Sequence, residues 1–193
     1  MAETKNSSFV KEILRPVIII TVICLVVSGC LALTDYLTAD KIAERAKADE
    51  ENAMRGLLVA ESYEAVDLNT DASFTVAKKG NEIAGYIIKT SAKGYGGDVV
   101  IMTAIGTDEK IIGVDILDVT SETPGLGQNA AREDFYSQLI GKVSGVKVQK
   151  NNANADNNEI NAVTGATITS RAVEKAVGKA FDALKTYKES EAK

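Results

Sequence analysis

The chain contains no histidine and no tryptophan, and its 193 residues include only two cysteines and two prolines. Without histidine, the Ser, Thr and Tyr hydroxyls lack the usual general base, which argues against hydrolase chemistry of the triad type. Cys24 and Cys30 both lie in an apolar segment near the N-terminus. The chain beyond residue 35 therefore has no thiol for a disulfide, a zinc site or an iron–sulfur cluster. The sequence predicts no catalytic residue and no metal site.

The charge balance excludes a further class of partner. The whole chain has 22 Lys and Arg against 27 Asp and Glu, a net charge of −5. Removing residues 1–34, which hold three basic and two acidic residues, leaves 19 against 25, a charge of −6. An acidic domain without a basic stripe is a poor nucleic-acid binder. The length allows one domain with appendages, and we expect no nucleic-acid partner.

The segment from residue 16 to residue 34 carries no charge. At about 1.5 Å of rise per residue, a helix of this length just crosses a hydrocarbon core of about 30 Å. Three basic residues precede it (Lys5, Lys11 and Arg15) against two acidic ones (Glu3 and Glu12). By the positive-inside rule, residues 1–15 are cytoplasmic and the rest of the chain is extracytoplasmic. The prediction is a single-pass protein of the cell membrane, which in a bacterium with two membranes is the inner one.

Two other interpretations of this segment remain open. Val27-Ser28-Gly29-Cys30 resembles a lipoprotein signal that ends at Cys30, although the apolar run continues through Leu33. A cleaved signal peptide would have a shorter apolar core and a small-x-small cleavage site. An uncleaved anchor or a lipid anchor at Cys30 places the following domain outside the membrane in either case.

The pattern beyond the anchor predicts an α+β domain. Residues 35–70 indicate a helical stalk or linker, charged nearly all round over residues 36–58. Residues 71–193 form the main domain, and β-branched runs separated by turn signals predict four strands in it: Ser73–Ala77, Glu82–Ser91, Gly97–Gly106 and Ile111–Val119. Short turns favour an antiparallel meander. The expected fold is an antiparallel sheet flanked by helices.

The remaining elements follow from periodicity and composition. Residues 129–140 predict a helix, residues 145–149 a short strand, and the Asn-rich residues 151–159 an exposed loop. Apolar residues at helical spacing predict a final helix over residues 168–187. One of the hydroxyls before that helix is expected to cap it, because Ser and Thr are preferred N-caps.

Three motifs are candidates for binding. Thr164-Gly165-Ala166-Thr167 precedes the final helix, whose N-terminal N–H groups suit a phosphate, and Thr167 offers a hydroxyl. Glu122-Thr123-Pro124-Gly125-Leu126-Gly127 is a rigid loop whose amides and Thr123 hydroxyl can hold a planar heterocycle. Gly94-Tyr95-Gly96-Gly97 is a turn with one aromatic residue. Each motif, taken alone, is equally an ordinary helix cap, a strand-to-helix turn or a β-connection.

After one N-terminal span, and in their order along the chain (residues 94–97, 122–127 and 164–167), the three motifs resemble the extracytoplasmic FMN-binding domain family. The whole chain is similar, more narrowly, to the G subunit of the Rnf electron-transport complex. The C subunit of the sodium-translocating NADH:quinone reductase is a related but usually larger protein. The resemblance runs from end to end and is weakest over residues 1–70.

The resemblance implies a cofactor and its attachment point. In that family, FMN is joined by a phosphoester to the Thr that closes a Ser/Thr-Gly-Ala-Thr motif, which is Thr167 here, approached by Thr164, Gly165 and Ala166. A flavin transferase makes this bond. The family pattern has an Asp three residues before the first Ser/Thr, and this chain has Asn161 there. If that Asp assists attachment, modification of this chain is expected to be slow or incomplete.

The resemblance also implies a function. The chain is expected to be a covalent-FMN electron carrier within the Rnf complex, which couples ferredoxin:NAD⁺ electron transfer to Na⁺ or H⁺ translocation. It is expected to have no activity alone, and the other Rnf subunits are its partners. Glu122, Thr123 and Leu126 are the expected contacts to the isoalloxazine ring, with Tyr95 as a candidate for stacking. The alternatives are a membrane-anchored binding module without covalent flavin and a stand-alone FMN-binding protein.

Overall fold

A computed structural model describes the backbone of residues 3–192 and the side chains of residues 12–192. Its first element is helix α1 (Glu3–Leu57), the one helix in the described range that is long and apolar enough to cross a membrane. The side chains of Lys5 and Lys11, on which the predicted orientation depends, lie outside the described residues. The compact folded unit of the chain begins at Glu50.

The folded unit is built on a five-stranded sheet. The strands are β1 (Ser62–Val66), β2 (Ser73–Lys79), β3 (Glu82–Lys93), β4 (Asp98–Ile105) and β5 (Ile111–Asp118). Each pairs antiparallel with the next, in the order β1-β2-β3-β4-β5. The predicted antiparallel meander is confirmed, because short connections between consecutive strands leave only antiparallel neighbours.

Strand β1 is a difference from the sequence prediction, which included its residues in a stalk or linker ending at residue 70. Only Tyr63 and Val66 are half-buried and its other three residues are exposed, and it pairs along its whole length with β2. An edge strand with few buried residues has too weak an apolar pattern to detect. The folded unit therefore begins well before residue 71, where the sequence placed its boundary.

One face of the sheet is covered by the last helix, α3 (Thr167–Glu191), whose length exceeds the predicted 168–187 by a few residues. Its apolar side chains pack on inward residues of the sheet, including Phe74, Ile88 and Ile101. Near the C-terminal end, Tyr187 stacks on Phe74 with ring centroids 4.8 Å apart. The amphipathic spacing read from the sequence thus identifies the buried face of this helix.

The opposite face of the sheet is covered by the end of α1 and the residues after it. Ala53, Met54, Leu57 and Leu58 pack against a small cluster of fully buried sheet residues (Ala77, Ile87, Met102 and Ala104). The sheet is therefore flanked by helices on both faces, as the α+β prediction requires. The sequence, however, predicted a charged and solvated helix here, because its few apolar residues are diluted by charges.

The segment between β5 and α3 departs most from the prediction. Residues 129–140 do not form one helix; they form a turn of 3₁₀ helix (Gly127–Ala131), the short helix α2 (Glu133–Tyr136) and a second 3₁₀ turn (Ser137–Leu139). Arg132 has an extended backbone with ψ of 143°, which interrupts the helix. The predicted strand near residues 145–149 is present as β6 (Lys147–Gln149).

The Asn-rich segment, predicted as a loop, is followed by a further short strand. β7 (Glu159–Asn161) pairs in parallel with β6, so that these two strands make a separate small sheet before α3. Three residues are too few to give a periodic signal, and the pairing itself depends on chain contacts that the local sequence does not encode.

A soluble domain that starts at residue 61 should be less stable than one that starts at residue 50. The shorter domain loses the side chains at residues 53–58, which cover the sheet face opposite α3. Burial of these four half-buried apolar side chains contributes about 3 kcal/mol to the free energy of unfolding. Urea unfolding of both domains measures the difference. A third domain starting at residue 40 should unfold like the one starting at residue 50, and equal stability of all three would contradict the prediction.

Candidate functional site

The N-terminus of α3 has no side-chain cap. Ala166 occupies the N-cap position and Thr167 is the first helical residue, so the prediction that a hydroxyl caps this helix is wrong. Ser170 instead bonds back to the preceding turn: its hydroxyl donates to the carbonyl of Ala166 at 3.0 Å and accepts from the amide of Val163 at 2.9 Å. The first N–H groups of α3 are therefore free of side-chain oxygens in the described part of the chain, which suits an anion.

A tight turn delivers the chain to this helix. The amide of Ala166 donates to the carbonyl of Val163 at 2.9 Å, and Gly165 has a φ of +78°. A positive φ at the third position of such a turn is typical of type II, which favours glycine there. A Cβ atom at Gly165 would also lie 3.0 Å from Leu126 Cδ2. Gly165 thus brings the end of the Thr164–Thr167 motif against the loop of residues 122–127.

One open cleft of about 520 Å³ gathers most of the residues predicted from the sequence. The predicted residues that line it are Tyr95, Glu122, Thr123, Leu126, Gly165, Ala166 and Thr167. Thr164 does not line it; this residue borders a separate cavity of about 310 Å³ together with Asn129, Arg132 and Phe135. Three distant segments of the sequence therefore meet in one site, and Thr164 borders a different cavity.

The cleft combines polar and apolar walls. Tyr95, Leu126 and Ile168 border it and expose 71%, 44% and 55% of their surface, although large apolar side chains usually avoid such exposure. Thr167, half-buried, carries the hydroxyl beside the free helix N-terminus. Among the described residues, no side chain hydrogen-bonds to this hydroxyl.

The predicted site residues did not include Gly127, Ile168 and Thr169, which also line the cleft. Thr169 is 1% exposed and lies on the buried face of α3, three and four residues before Ala172 and Val173. A hydroxyl at that spacing, in line with the apolar face, was the available signal that it points inward. Gly127 approaches the same place so closely that a Cβ would lie 2.6 Å from a carboxylate oxygen of Glu122.

Glu122 joins the three segments that form the cleft. Its side chain is buried, and its Oε2 accepts a hydrogen bond of 2.6 Å from the hydroxyl of Thr169 in α3. Its Oε1 accepts from the amides of Tyr95, Gly96 and Gly97 at 2.9, 3.0 and 3.4 Å. Both oxygens are therefore satisfied within the protein, by the turn after β3 on one side and by the first turn of α3 on the other.

These contacts also set the ionisation of Glu122. Burial by itself raises the pKa of the carboxyl, because it disfavours the charged form. The hydrogen bonds from Thr169 and from the amides of Gly96, Gly97 and Tyr95 act in the opposite direction and together prevail. The pKa of Glu122 lies below its usual value, so the group is ionised at neutral pH.

The arrangement fits a ligand that has a planar ring and a phosphate. Exposed aromatic and aliphatic side chains suit the ring, and the free helix N-terminus with an adjacent hydroxyl suits the phosphate. The described residues contain no group of three or more Cys, Asp and Glu that could hold a metal ion. The cleft therefore has the residues to hold a flavin nucleotide.

Asn161, where the family pattern has an acid, lies at the end of β7 and is exposed. Its side-chain oxygen accepts a hydrogen bond of 3.0 Å from the amide of Ala153, and its own amide donates to Gln138 Oε1 at 2.9 Å. The residue thus fastens the Asn-rich loop beside the turn that leads to Thr167. A carboxylate oxygen can accept the bond from Ala153 equally well.

Comparisons with known families agree with this geometry. Residues 94–182 match the FMN-binding domain family, a range that includes all eight predicted site residues, and residues 1–56 match the RnfG N-terminal region. The G subunit of the proton-translocating ferredoxin:NAD⁺ oxidoreductase complex from Clostridium ljungdahlii is 32% identical over 97% of this chain and 98% of its own length. The chain belongs to the family of Rnf complex G subunits.

A second relative in the same family is named for translocation of Na⁺ instead of protons. The G subunit of the Na⁺-translocating ferredoxin:NAD⁺ oxidoreductase complex from Acetobacterium woodii is 34% identical over 86% of this chain and 89% of its own length. Relatives named for proton translocation and for Na⁺ translocation are thus about equally similar to this chain.

Solved structures support the fold. The C subunit of the Na⁺-translocating NADH-quinone reductase from Parabacteroides distasonis superposes with a TM-score of 0.57, at 20% identity, over 72% of this chain and 82% of its own. NqrC from Shewanella oneidensis superposes with a TM-score of 0.51, at 18% identity, over 72% of this chain and 74% of its own. The predicted α+β fold with a flanked antiparallel sheet is confirmed.

The stabilising contribution of Glu122 should depend on pH. At neutral pH, Glu122→Gln should lower the free energy of unfolding of the soluble domain by about 1–3 kcal/mol, because hydrogen bonds to a charged acceptor are replaced by weaker ones. The pKa in the folded state lies below the unfolded value of 4.5. The advantage of the wild type is therefore complete above the unfolded pKa and disappears as pH falls through the folded pKa.

Urea unfolding of both proteins from about pH 7 to about pH 3 measures this difference. Glu82→Gln, an exposed glutamate in the β2–β3 hairpin, is the matched control and should leave the pH dependence of stability unchanged. A gap between wild type and Glu122→Gln that stays constant or widens in acid would contradict the lowered pKa.

Proposed function

We propose that this chain is a covalent flavoprotein subunit that carries electrons within an Rnf complex, with FMN esterified to Thr167. The observation that supports this most directly is the position of the Thr167 hydroxyl. It lies at the free N-terminus of α3, inside the one cleft that gathers seven of the eight predicted residues, within the range matched by the FMN-binding domain family. Esterification joins Thr167 Oγ1 to the phosphorus of FMN and adds the mass of FMN less one water.

Different residues around Thr167 hold the phosphate and the ring of the cofactor. The first amides of α3 and the dipole of this 25-residue helix stabilise the phosphate. Gly165 and Ala166 keep the approach to the hydroxyl uncrowded, and Thr164 shapes the turn before them. Thr123 and Leu126 contact the ring, and exposed Tyr95 stacks on it. A contact of the ring with Glu122 stays a prediction, since both carboxylate oxygens already have partners in the protein.

Bound FMN supplies electron transfer in single-electron or two-electron steps, with a potential that depends on nearby charges and hydrogen bonds. Its attachment needs a separate flavin transferase, because no described side chain is placed to take the proton of the Thr167 hydroxyl. Asn161 makes this attachment slower than an Asp would, if a carboxylate at this position assists the transferase. A covalent bond keeps the cofactor on an extracytoplasmic protein from which free FMN would diffuse away.

The wider function follows from the named relatives. They are subunits of complexes that couple ferredoxin:NAD⁺ oxidoreduction to translocation of protons or Na⁺. We assign this chain the same place, with electrons passing through its flavin among the other Rnf subunits and no activity in isolation. Either ion is consistent with the relatives, whose identities to this chain differ by two percentage points.

The predicted topology places the flavin outside the cytoplasm. Arg15 and two further basic residues precede the charge-free segment 16–34, and acidic Asp35 and Asp40 follow it. With residues 1–15 in the cytoplasm, the folded unit that begins at Glu50 is extracytoplasmic.

Thr167→Val should abolish attachment of FMN, because the hydroxyl that forms the ester is lost while the shape of the side chain is kept. The full chain is co-expressed with a flavin transferase, and intact mass together with the fluorescence of the denatured band under ultraviolet light measures attachment. Thr186→Val is the matched control: it removes an exposed hydroxyl of the same helix, roughly 28 Å further along α3 and outside the cleft, and it should keep the modification.

Three outcomes of this experiment contradict the proposal. They are an unmodified wild-type chain, a modified Thr167→Val chain, and a Thr186→Val chain that loses the modification. An unmodified wild-type chain would favour the membrane-anchored binding module without covalent flavin. In a separate test, purification of the flavin-loaded chain from its own cells without the other Rnf subunits would favour a stand-alone flavoprotein.

A reporter fused after residue 193 should act outside the cytoplasm. Alkaline phosphatase, which needs an oxidising compartment to form its disulfides, should be active at that position, and a fluorescent protein that matures only in the cytoplasm should be dark. Reversing the charge bias by changing Lys5, Lys11 and Arg15 to Glu should lower the phosphatase activity. Activity of the cytoplasmic reporter in the unaltered chain would overturn the predicted orientation.

A further inference from the structure

Glu122 is a buried charge without a cationic partner. Its side chain is 2% exposed, and among the described residues no Lys or Arg nitrogen lies within ion-pair distance of it. A buried carboxylate that lacks a counter-ion carries a desolvation cost that its hydrogen bonds must offset. Its hydrogen bonds hold the loops together, but they do not by themselves require a negative charge at this place.

The position of this charge points to a second role. Glu122 lines the cleft that Thr167 also lines. Thr169, which donates a hydrogen bond to its carboxylate, lines the same cleft, as does Gly127, where a Cβ would lie 2.6 Å from the carboxylate. Two charges that are separated by protein interact more strongly than two charges that are separated by water at the same distance. Any group in this cleft that gains an electron therefore does so in the field of a fixed negative charge.

We propose that Glu122 lowers the reduction potential of the flavin held at Thr167 by placing a permanent negative charge in the wall of the cleft. The proposal rests on the proposed function, since it requires a redox group at Thr167. Reduction adds negative charge to the group in the cleft, and repulsion by Glu122 disfavours this change relative to the oxidised form.

The hydrogen bonds to Glu122 moderate this effect. Three backbone amides and the hydroxyl of Thr169 each place a partial positive charge against the carboxylate. Removing the Thr169 donor leaves the carboxylate ionised, because the three amides remain. It also removes one of the partial positive charges that offset the negative charge of Glu122. Loss of the charge and loss of the donor therefore change the potential in opposite directions.

The experiment is a dithionite titration of the full-length, flavin-loaded chain with a reference dye, followed by visible absorbance. Glu122→Gln should raise the midpoint potential, so that the ratio of reduced to oxidised flavin at the wild-type midpoint increases about tenfold or more; this estimate assumes charges about 10 Å apart at an effective dielectric constant of about 20. Thr169→Val should lower the potential, with a smaller change in the ratio. Glu122→Asp, which keeps the charge, should stay closer to the wild type than Glu122→Gln.

The matched control is Glu82→Gln, which makes the same charge change at the exposed start of β3. This residue lies at the far end of the strand from the Gly94–Gly97 turn, roughly 35 Å away along β3. It should leave the midpoint potential unchanged. The shift in Glu122→Gln should also persist when the salt concentration is raised to about 1 M, because a buried charge is screened little by salt.

A general loosening of the cleft would move the potentials of Glu122→Gln and Thr169→Val in the same direction, and this result overturns the proposal. An unchanged potential in a folded, flavin-loaded Glu122→Gln protein also overturns it. If Glu122→Gln does not fold, Thr169→Val still decides, since an unchanged or raised potential there contradicts the role of the charge. Failure of the proposed function is distinct, because the wild-type chain would then carry no flavin to titrate.

Discussion

The cleft depends on one buried carboxylate. Glu122 accepts hydrogen bonds from the turn after β3 and from the first turn of α3, and its own loop follows β5. Each hydrogen bond to a charged acceptor contributes about 1.5–3 kcal/mol, and together these bonds offset the cost of burying the charge. These bonds link the three segments directly to one another at the wall of the cleft. Gly127 contributes by leaving space where a Cβ would contact the carboxylate.

The sheet provides the rigid frame on which this junction is built. Its helix-covered faces fix the end of β3, the end of β5 and the start of α3 relative to one another. Within this frame, the hydroxyl of Thr90 in β3 donates to the carbonyl of Ala176 in α3 at 2.9 Å, in the buried interface. A cofactor site assembled from loops needs such support, because loops alone do not hold side chains to the tolerance that binding requires.

The free N-terminus of α3 is a second constraint that favours a ligand. A helix that lacks a capping side chain forgoes about 1 kcal/mol of stability relative to one with Ser or Thr at the N-cap. Here the hydroxyl stands one residue later, at Thr167, and Ala166 occupies the cap position. The protein thus leaves helix amides exposed beside a hydroxyl, which is an arrangement that a phosphate ester at that residue would stabilise.

Local sequence patterns determined much of this protein. Alternating β-branched runs and short turns specified four of the five strands of the main sheet, and helical spacing specified the buried face of α3. The Thr164–Thr167 motif and the loop at residues 122–127 were recognisable because glycine and proline encode their own backbone conformations. These motifs identified seven residues that meet in one cleft. Weakly apolar elements, such as β1 and the end of α1, gave no such signal.

Contacts between distant residues decided the rest. The bonds of Glu122 join residues 27 and 47 positions apart in the chain, and no local period indicates that this side chain turns inward instead of facing a ligand. The start of α3 is uncapped because the turn at Gly165 puts Ala166, which has no side-chain oxygen, at the N-cap position. Sequence alone thus identified the residues of the site, because turn and helix chemistry is local. Only the tertiary structure gave them their roles, because burial and hydrogen-bond partners depend on what the rest of the chain packs against them.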